Sequence, residues 1–382
     1  MTFTRVISAV LISFLSVFAS ATVMTDDDAE REVRRQAARM LIVGFRGDTI
    51  GEDVRHYVAD LGVGGVILFD SDLTSGGGHG TRNIRSPRQL KSLCDGLKRL
   101  AGSDLLIAVD EEGGKVSRLK HVYGFPSTVS AEYMGERNDS AFTTAKSYAV
   151  AGTLRDAGIN INFAPSVDVN VNPACPVIGR LGRSFSSDPL VVADNAAWSI
   201  MAHHRRGIMT AIKHFPGHGS SRSDSHFGMT DVTDTWTESE LIPFRRLIDA
   251  GLADVVMTAH IYNANLDSLY PATLSHNVID GILRNQLNFD GVVMTDDMYM
   301  EAIVNHYTLS EAVIRAINAG CDMLILGNNS PSGYFPGRPD EVIDIIVNAV
   351  LTGEISRERL DESARRIDDL FARIRKLAAA DE

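Results

Sequence analysis

LLIAVDEEGG, residues 105–114, is an apolar run that stops abruptly at three carboxylates and two glycines. A strand with one wet face alternates apolar and polar residues. A run that is apolar at every position suits instead a parallel strand covered on both faces. Seven further stretches behave the same way: 40–45, 64–69 (GGVILF), 161–165 (INFAP), 210–212, 254–258 (DVVMT), 291–295 (GVVMT) and 322–326 (DMLIL). Most are separated by stretches with helical periodicity, at 26–38, 52–60, 88–100, 187–206, 237–250 and 310–319, and a charged helix over 357–376 closes the chain. Eight strand-helix units in about 300 residues predict a single α/β domain, a (β/α)8 TIM-type barrel, rather than an open doubly wound sheet. No GxGxxG opens a helix after the first strand, which removes the main sign of a dinucleotide fold.

Composition narrows the function classes. The chain has 382 residues, 44% hydrophobic and 23% charged, with a formal net charge of -12. Nucleic-acid binding needs clustered positive charge, and no Lys/Arg-rich block is present, so nucleic acid is excluded as the main partner. Residues 1–21 read as a cleaved secretory signal peptide: Arg5 supplies the basic start, 6–18 the apolar core, and Ala19-Ser20-Ala21 the small-x-small cleavage site. The apolar core is shorter than the roughly 20 residues that span a bilayer, so no stable membrane anchor is expected after cleavage. The mature domain then covers 22–382, exported to the periplasm or secreted. Cys94, Cys175 and Cys321 are odd in number and widely spaced, and they read as small buried hydrophobes rather than a disulfide framework.

A barrel carries its chemistry where the strands end. Here those ends are ionisable: Asp110, Glu111 and Glu112 after the third strand, Asp168 after the fourth, His260 after the sixth, and Asp296-Asp297 after the seventh. The fifth strand candidate releases KHFPGHGSSRSDSHF (residues 213–227), read as a polar loop holding His214, His218 and His226. A carboxylate held at a strand end can attack the anomeric carbon of a sugar, and of two adjacent residues only one can face the barrel mouth. Asp296 is the expected nucleophile, and Asp297 a supporting or helix-capping group. A histidine whose tautomer is held by a carboxylate can serve as the proton donor, and Asp224-Ser225-His226 allows that contact within a turn. SDLTSGGGHGTRNIRS (residues 71–86) reads as a flexible rim without the Lys-Ser/Thr of a phosphate loop, and 328–339 as the loop after the eighth strand.

Five segments, in this order, resemble the motifs of glycoside hydrolase family 3 in its β-N-acetylhexosaminidase branch: VDEEGGKVSR (109–118), VIGRLGRSF (177–185), KHFPGHG (213–219), DSH (224–226) and VVMTDDM (292–298). The resemblance runs from about residue 37 to about residue 327. It implies retaining hydrolysis of terminal non-reducing β-linked N-acetylglucosamine, with peptidoglycan or chitin fragments as substrates and no cofactor or metal. Residue by residue, it implies that Asp296 is the nucleophile, His226 the acid/base on a mobile loop and Asp224 its partner. It also implies that Asp110, Arg118, Arg183, Lys213 and His214 bind the sugar. The chain departs from the pattern in Lys115, where Arg is common, in SSRS before Asp224, and in a second arginine, Arg180, that competes with Arg183. Spacing to Ser184-Phe185 favours Arg183.

Three other readings stay open. A phosphorylase would use the same fold with phosphate as acceptor, since a histidine acid/base does not repel that anion. An exported oligosaccharide-binding protein would need the site without the chemistry. A metal-dependent hydrolase could draw on His214, His218, His226, Asp224 and His260, although Lys213 would set a positive charge beside the ion. The expected partner is a small carbohydrate, and the expected oligomeric state is a monomer.

Overall fold

The computed structural model describes residues 26–380 with the exception of Ser103, so the expected leader lies outside the described residues. Eight parallel strands close into a barrel: β1 (Leu41–Gly44), β2 (Gly65–Ile67), β3 (Leu106–Val109), β4 (Ile161–Asn162), β5 (Met209–Phe215), β6 (Val255–Thr258), β7 (Val292–Asp297) and β8 (Met323–Leu326). Each strand pairs with its neighbours in chain order, and β8 closes on β1 through Leu41 opposite Leu324. All eight runs expected from the sequence are strands.

The reason is burial on both faces. Ile42, Val43, Ile107, Ala108, Val255, Val293 and Leu324 are fully buried, because helices cover the outside while side chains fill the interior. Burying such a side chain contributes roughly 1.5–3 kcal/mol, enough to override the modest strand propensity of Leu and Met. The three cysteines are free thiols and buried, as expected.

The structure departs from the sequence reading in three places. The fifth strand extends beyond 210–212 to Phe215, so Lys213 and His214 belong to β5 and not to the loop after it. Phe215 pairs with Thr258 after an irregularity in register, and Ser166 forms a bridge with Lys213. Two polar residues read as loop in isolation; here the barrel end supplies partners for both. Several helices were also not expected, the two longest being α3 (Ser140–Ala157) between β3 and β4 and a C-terminal one over Arg338–Thr352 whose first residues are the end of the expected 328–339 loop. Helix α3 packs mainly on α2 (Pro87–Ala101) and α4 (Pro189–His204), so its small residues face several ways and no single apolar stripe marks it.

The third departure is the 71–86 loop, which is anchored rather than free. Arg82 is fully buried, donating to the carbonyls of Phe45 (3.0 Å) and Asn328 (2.7 Å) and to Asn329 Oδ1 (2.9 Å). Its guanidinium also lies over the rings of Phe69 and Tyr334. Asn83 Nδ2 donates to the Phe45 and Gly47 carbonyls. The exits of β1, β2 and β8 are thereby joined. Among the described residues no helix is long and apolar enough to cross a membrane.

Candidate active site

Strand alternation separates the two aspartates that end β7. The Asp297 carboxylate accepts from the Tyr299 N–H (3.1 Å) and the Gly327 N–H (3.0 Å), tying β7 to the exit of β8. Gly327 is required there, because a Cβ would sit 2.3 Å from Asp297 Oδ2. Among the described residues Asp296 accepts only the Asp297 N–H, at 2.8 Å; both aspartates line a cavity of about 300 Å3 with Asp110, Arg118, Lys120 and His226. Burial pushes Asp297 up to about 6. Burial also opposes ionisation of Asp296, but the fields of His214, His260 and His226 outweigh it and hold this carboxyl below its ordinary value. Of the pair, Asp296 is therefore the ionised and more sparsely hydrogen-bonded one, as a nucleophile should be.

A charged cluster lies behind the cavity, where β3, β4 and β5 end. Lys213 Nζ lies 2.7 Å from Asp110 Oδ1 and 2.7 Å from Glu112 Oε1. Arg183 grips Glu112 with two parallel bonds of 2.8 and 2.7 Å, and its guanidinium lies 3.1 Å from His214 Nε2. His214 Nδ1 in turn lies 2.6 Å from Asp168 Oδ2, and Asp168 also accepts the His218 N–H at 2.7 Å. Such a cluster survives burial only when every charge has a partner. Desolvation works against Glu112, yet Arg183 and Lys213 hold its carboxyl far below the carboxylate range; the fields of Asp110 and Glu112 likewise raise Lys213 against its burial.

His226 stands on a separate piece of chain. The turn Ser225–Phe227 follows Asp224, whose Oδ1 accepts the His226 N–H (2.8 Å) and lies 2.7 Å from His226 Nδ1. This leaves Nε2 directed away from Asp224 and free to serve a ligand. Burial alone would lower the His226 pKa, but the bond to Asp224 and the charge of Asp296 raise it. The side chain remains 58% exposed, so it reaches the cavity from the solvent side.

The sequence-predicted residues fall into two groups. Asp110, Arg118, His226 and Asp296 share the cavity, with Asp224 directly behind His226. Arg183, Lys213 and His214 form the buried cluster that backs it. Of the two competing arginines, Arg183 is the more enclosed, while Arg180 is exposed and bonds through its backbone, its carbonyl accepting from Lys115.

Several contributors were not assigned roles in advance. Glu112 and Asp168 were visible as strand-end acids, but nothing local showed their partners. Asp70, which accepts from Lys120 Nζ (2.5 Å) and the Tyr123 hydroxyl (2.9 Å), forms part of the cavity wall. Glu240 gave no signal at all, since ESEL reads as an exposed helix start; it is fully buried, accepts the Gly219 N–H at 3.0 Å, and is pushed up to about 8 by burial. It braces the loop that leads to His226.

Known proteins resemble this chain over most of its length. Residues 32–370 match the model of the glycosyl hydrolase family 3 N-terminal domain. The chain is 30% identical to beta-hexosaminidase A of Pseudoalteromonas piscicida, over 87% of its own length and 57% of that protein's. It is 32% identical to a beta-hexosaminidase of Nitrosomonas eutropha, over 90% and 95% of the respective lengths. A solved family 3 beta-N-acetylglucosaminidase from Paenibacillus superposes with a TM-score of 0.81 at 33% identity, covering 91% of this chain and 63% of that one. The chain thus spans less than two thirds of the first and third of these proteins.

Proposed function

The chain belongs to glycosyl hydrolase family 3, and from that premise we propose that it is a retaining β-N-acetylhexosaminidase that removes terminal, non-reducing β-linked N-acetylglucosamine from peptidoglycan or chitin fragments. The observation that carries the reading is the meeting of His226 and Asp296 at one cavity, together with Asp110 and Arg118. Asp296 attacks the anomeric carbon while the imidazolium of His226 gives its proton to the departing oxygen, so the glycosidic bond breaks as a glycosyl-enzyme ester forms. A water then loses its proton to His226 and attacks the same carbon, freeing Asp296. Asp110 accepts from sugar hydroxyls and Arg118 donates to them. The similarity to proteins named beta-hexosaminidase supports the choice of sugar. Export, with cleavage after Ala21, is part of the same proposal.

The test is release of chromophore from an aryl β-N-acetylglucosaminide against the matching β-glucoside, for wild type and His226→Ala. Turnover of the acetamido sugar alone is expected, reduced about 10²- to 10⁴-fold in the variant. Equal turnover of both sugars would overturn the substrate assignment.

The pH profile gives an independent check. Turnover needs Asp296 ionised and His226 protonated. Because Asp296 is held low, kcat/KM should fall on the acid side only below the ordinary carboxylate value. Because His226 is held high, it should fall on the alkaline side above the ordinary imidazole value. Asp224→Asn keeps the shape and removes the charge, so the alkaline limb should move to lower pH and kcat should drop about 10²-fold. An alkaline limb that stays in place would mean that another group supplies the proton.

A further inference from the structure

Phe227 follows His226 directly and is 77% exposed, more than any other large hydrophobic side chain in the described residues. An aromatic ring in water is unremarkable on a random surface, but this one sits on the turn that delivers a group to the cavity. Two contacts fix its place. The Phe227 N–H donates to the Asp224 carbonyl at 3.1 Å, so the residue that orients the imidazole also holds the ring's backbone. The Ser225–Phe227 turn packs on the short helix Glu301–Val304, which follows the strand bearing Asp296. The cavity's charged groups Asp110, Arg118 and Asp296 share its wall with apolar residues, of which Leu73 is 46% exposed.

From this arrangement we infer that Phe227 is the stacking platform for the leaving-group sugar. The inference rests on the hydrolase reading above and extends it to the ring on the far side of the scissile bond. In a β-linked pyranose the hydroxyls lie around the equator, which leaves both faces lined with C–H groups. Such a face carries slight positive charge and meets the negative face of an aromatic ring, while the equatorial hydroxyls stay in water. Only a substrate with a second pyranose beyond the scissile oxygen can use Phe227, so the ring sets a preference for oligosaccharides over simple alkyl glycosides.

The experiment compares kcat/KM for the β-1,4-linked N-acetylglucosamine disaccharide and for methyl β-N-acetylglucosaminide, in wild type, Phe227→Ala and Phe227→Trp. Both substrates need a proton on a poor leaving group, so a disturbed His226 would slow them equally. Phe227→Ala should lower the disaccharide value about tenfold and leave the methyl glycoside within about twofold, and Phe227→Trp should restore the difference. A parallel fall on both substrates, or an unchanged disaccharide value, would overturn the platform. A folded wild type that cleaves neither substrate would instead overturn the hydrolase reading, and the platform with it.

Discussion

Asp296→Ala is expected to lower kcat on an aryl β-N-acetylglucosaminide by at least about 10⁴-fold while leaving the protein folded. The size of the effect follows from chemistry that no neighbour can replace. Asp297 is adjacent in sequence, but its Oδ1 accepts the N–H groups of both Tyr299 and Gly327, which hold the carboxylate against the exit of β8. Its carboxyl is also pushed up to about 6, so it is less completely ionised than Asp296 as the pH falls below neutrality. Asp110 is held by Lys213 at 2.7 Å. The variant keeps His226, so adding azide should restore part of the turnover by filling the space left by the carboxylate. The product should then be the α-glycosyl azide, because attack comes from the face that Asp296 occupied. An Ala variant retaining a tenth of wild-type kcat would remove Asp296 from the nucleophile's role.

Glu112→Ala should be the most destabilising single change near the site, by about 3–5 kcal/mol. Glu112 receives both parallel bonds from Arg183 and one from Lys213, and its side chain is only 4% exposed. Without it two buried cations face each other with Asp110 as the nearest compensating charge. Glu112→Gln keeps the shape and part of the hydrogen bonding, so it should lie between Ala and wild type. Urea unfolding measures both. A Glu112→Ala midpoint within about 1 kcal/mol of wild type would show that the cluster does not depend on this residue. The acid side adds a signature. A carboxyl whose folded pKa is depressed contributes stability that is present above its unfolded value and lost as pH falls through the folded one. Wild type should therefore lose this contribution progressively below the ordinary carboxylate range, and Glu112→Ala should show a flatter acid dependence.

The barrel could be read from the chain because its strands are apolar at every position, a pattern that only two-sided burial rewards. The strand-end acids were legible for a related reason, since charge beginning where an apolar run stops has few places to go except a mouth. What could not be read was pairing. Glu112 and Arg183 lie 71 positions apart, and nothing near either residue names the other. Lys213 and His214 looked like loop because their strand character is imposed by β4 and β6 on either side. Glu240 and Arg82 were hidden by the opposite error, as charged residues in polar surroundings that the fold nonetheless takes inside. Local sequence reports the solvent a residue would prefer, whereas the fold can supply a partner from anywhere in the chain.

The Arg82 junction has a bearing on how the protein is made. Its acceptors come from residue 45 at one extreme and residues 328 and 329 at the other, the farthest lying 247 positions from Arg82 itself. During synthesis the first two strand exits emerge from the ribosome long before the last. Until β8 arrives, a guanidinium that ends fully enclosed must stay in water, and the Ser71–Asn329 edge of the cavity stays unassembled. The mouth is therefore finished last, by the same event that seals the barrel, so a nascent chain that stops short of β8 lacks this side of its pocket.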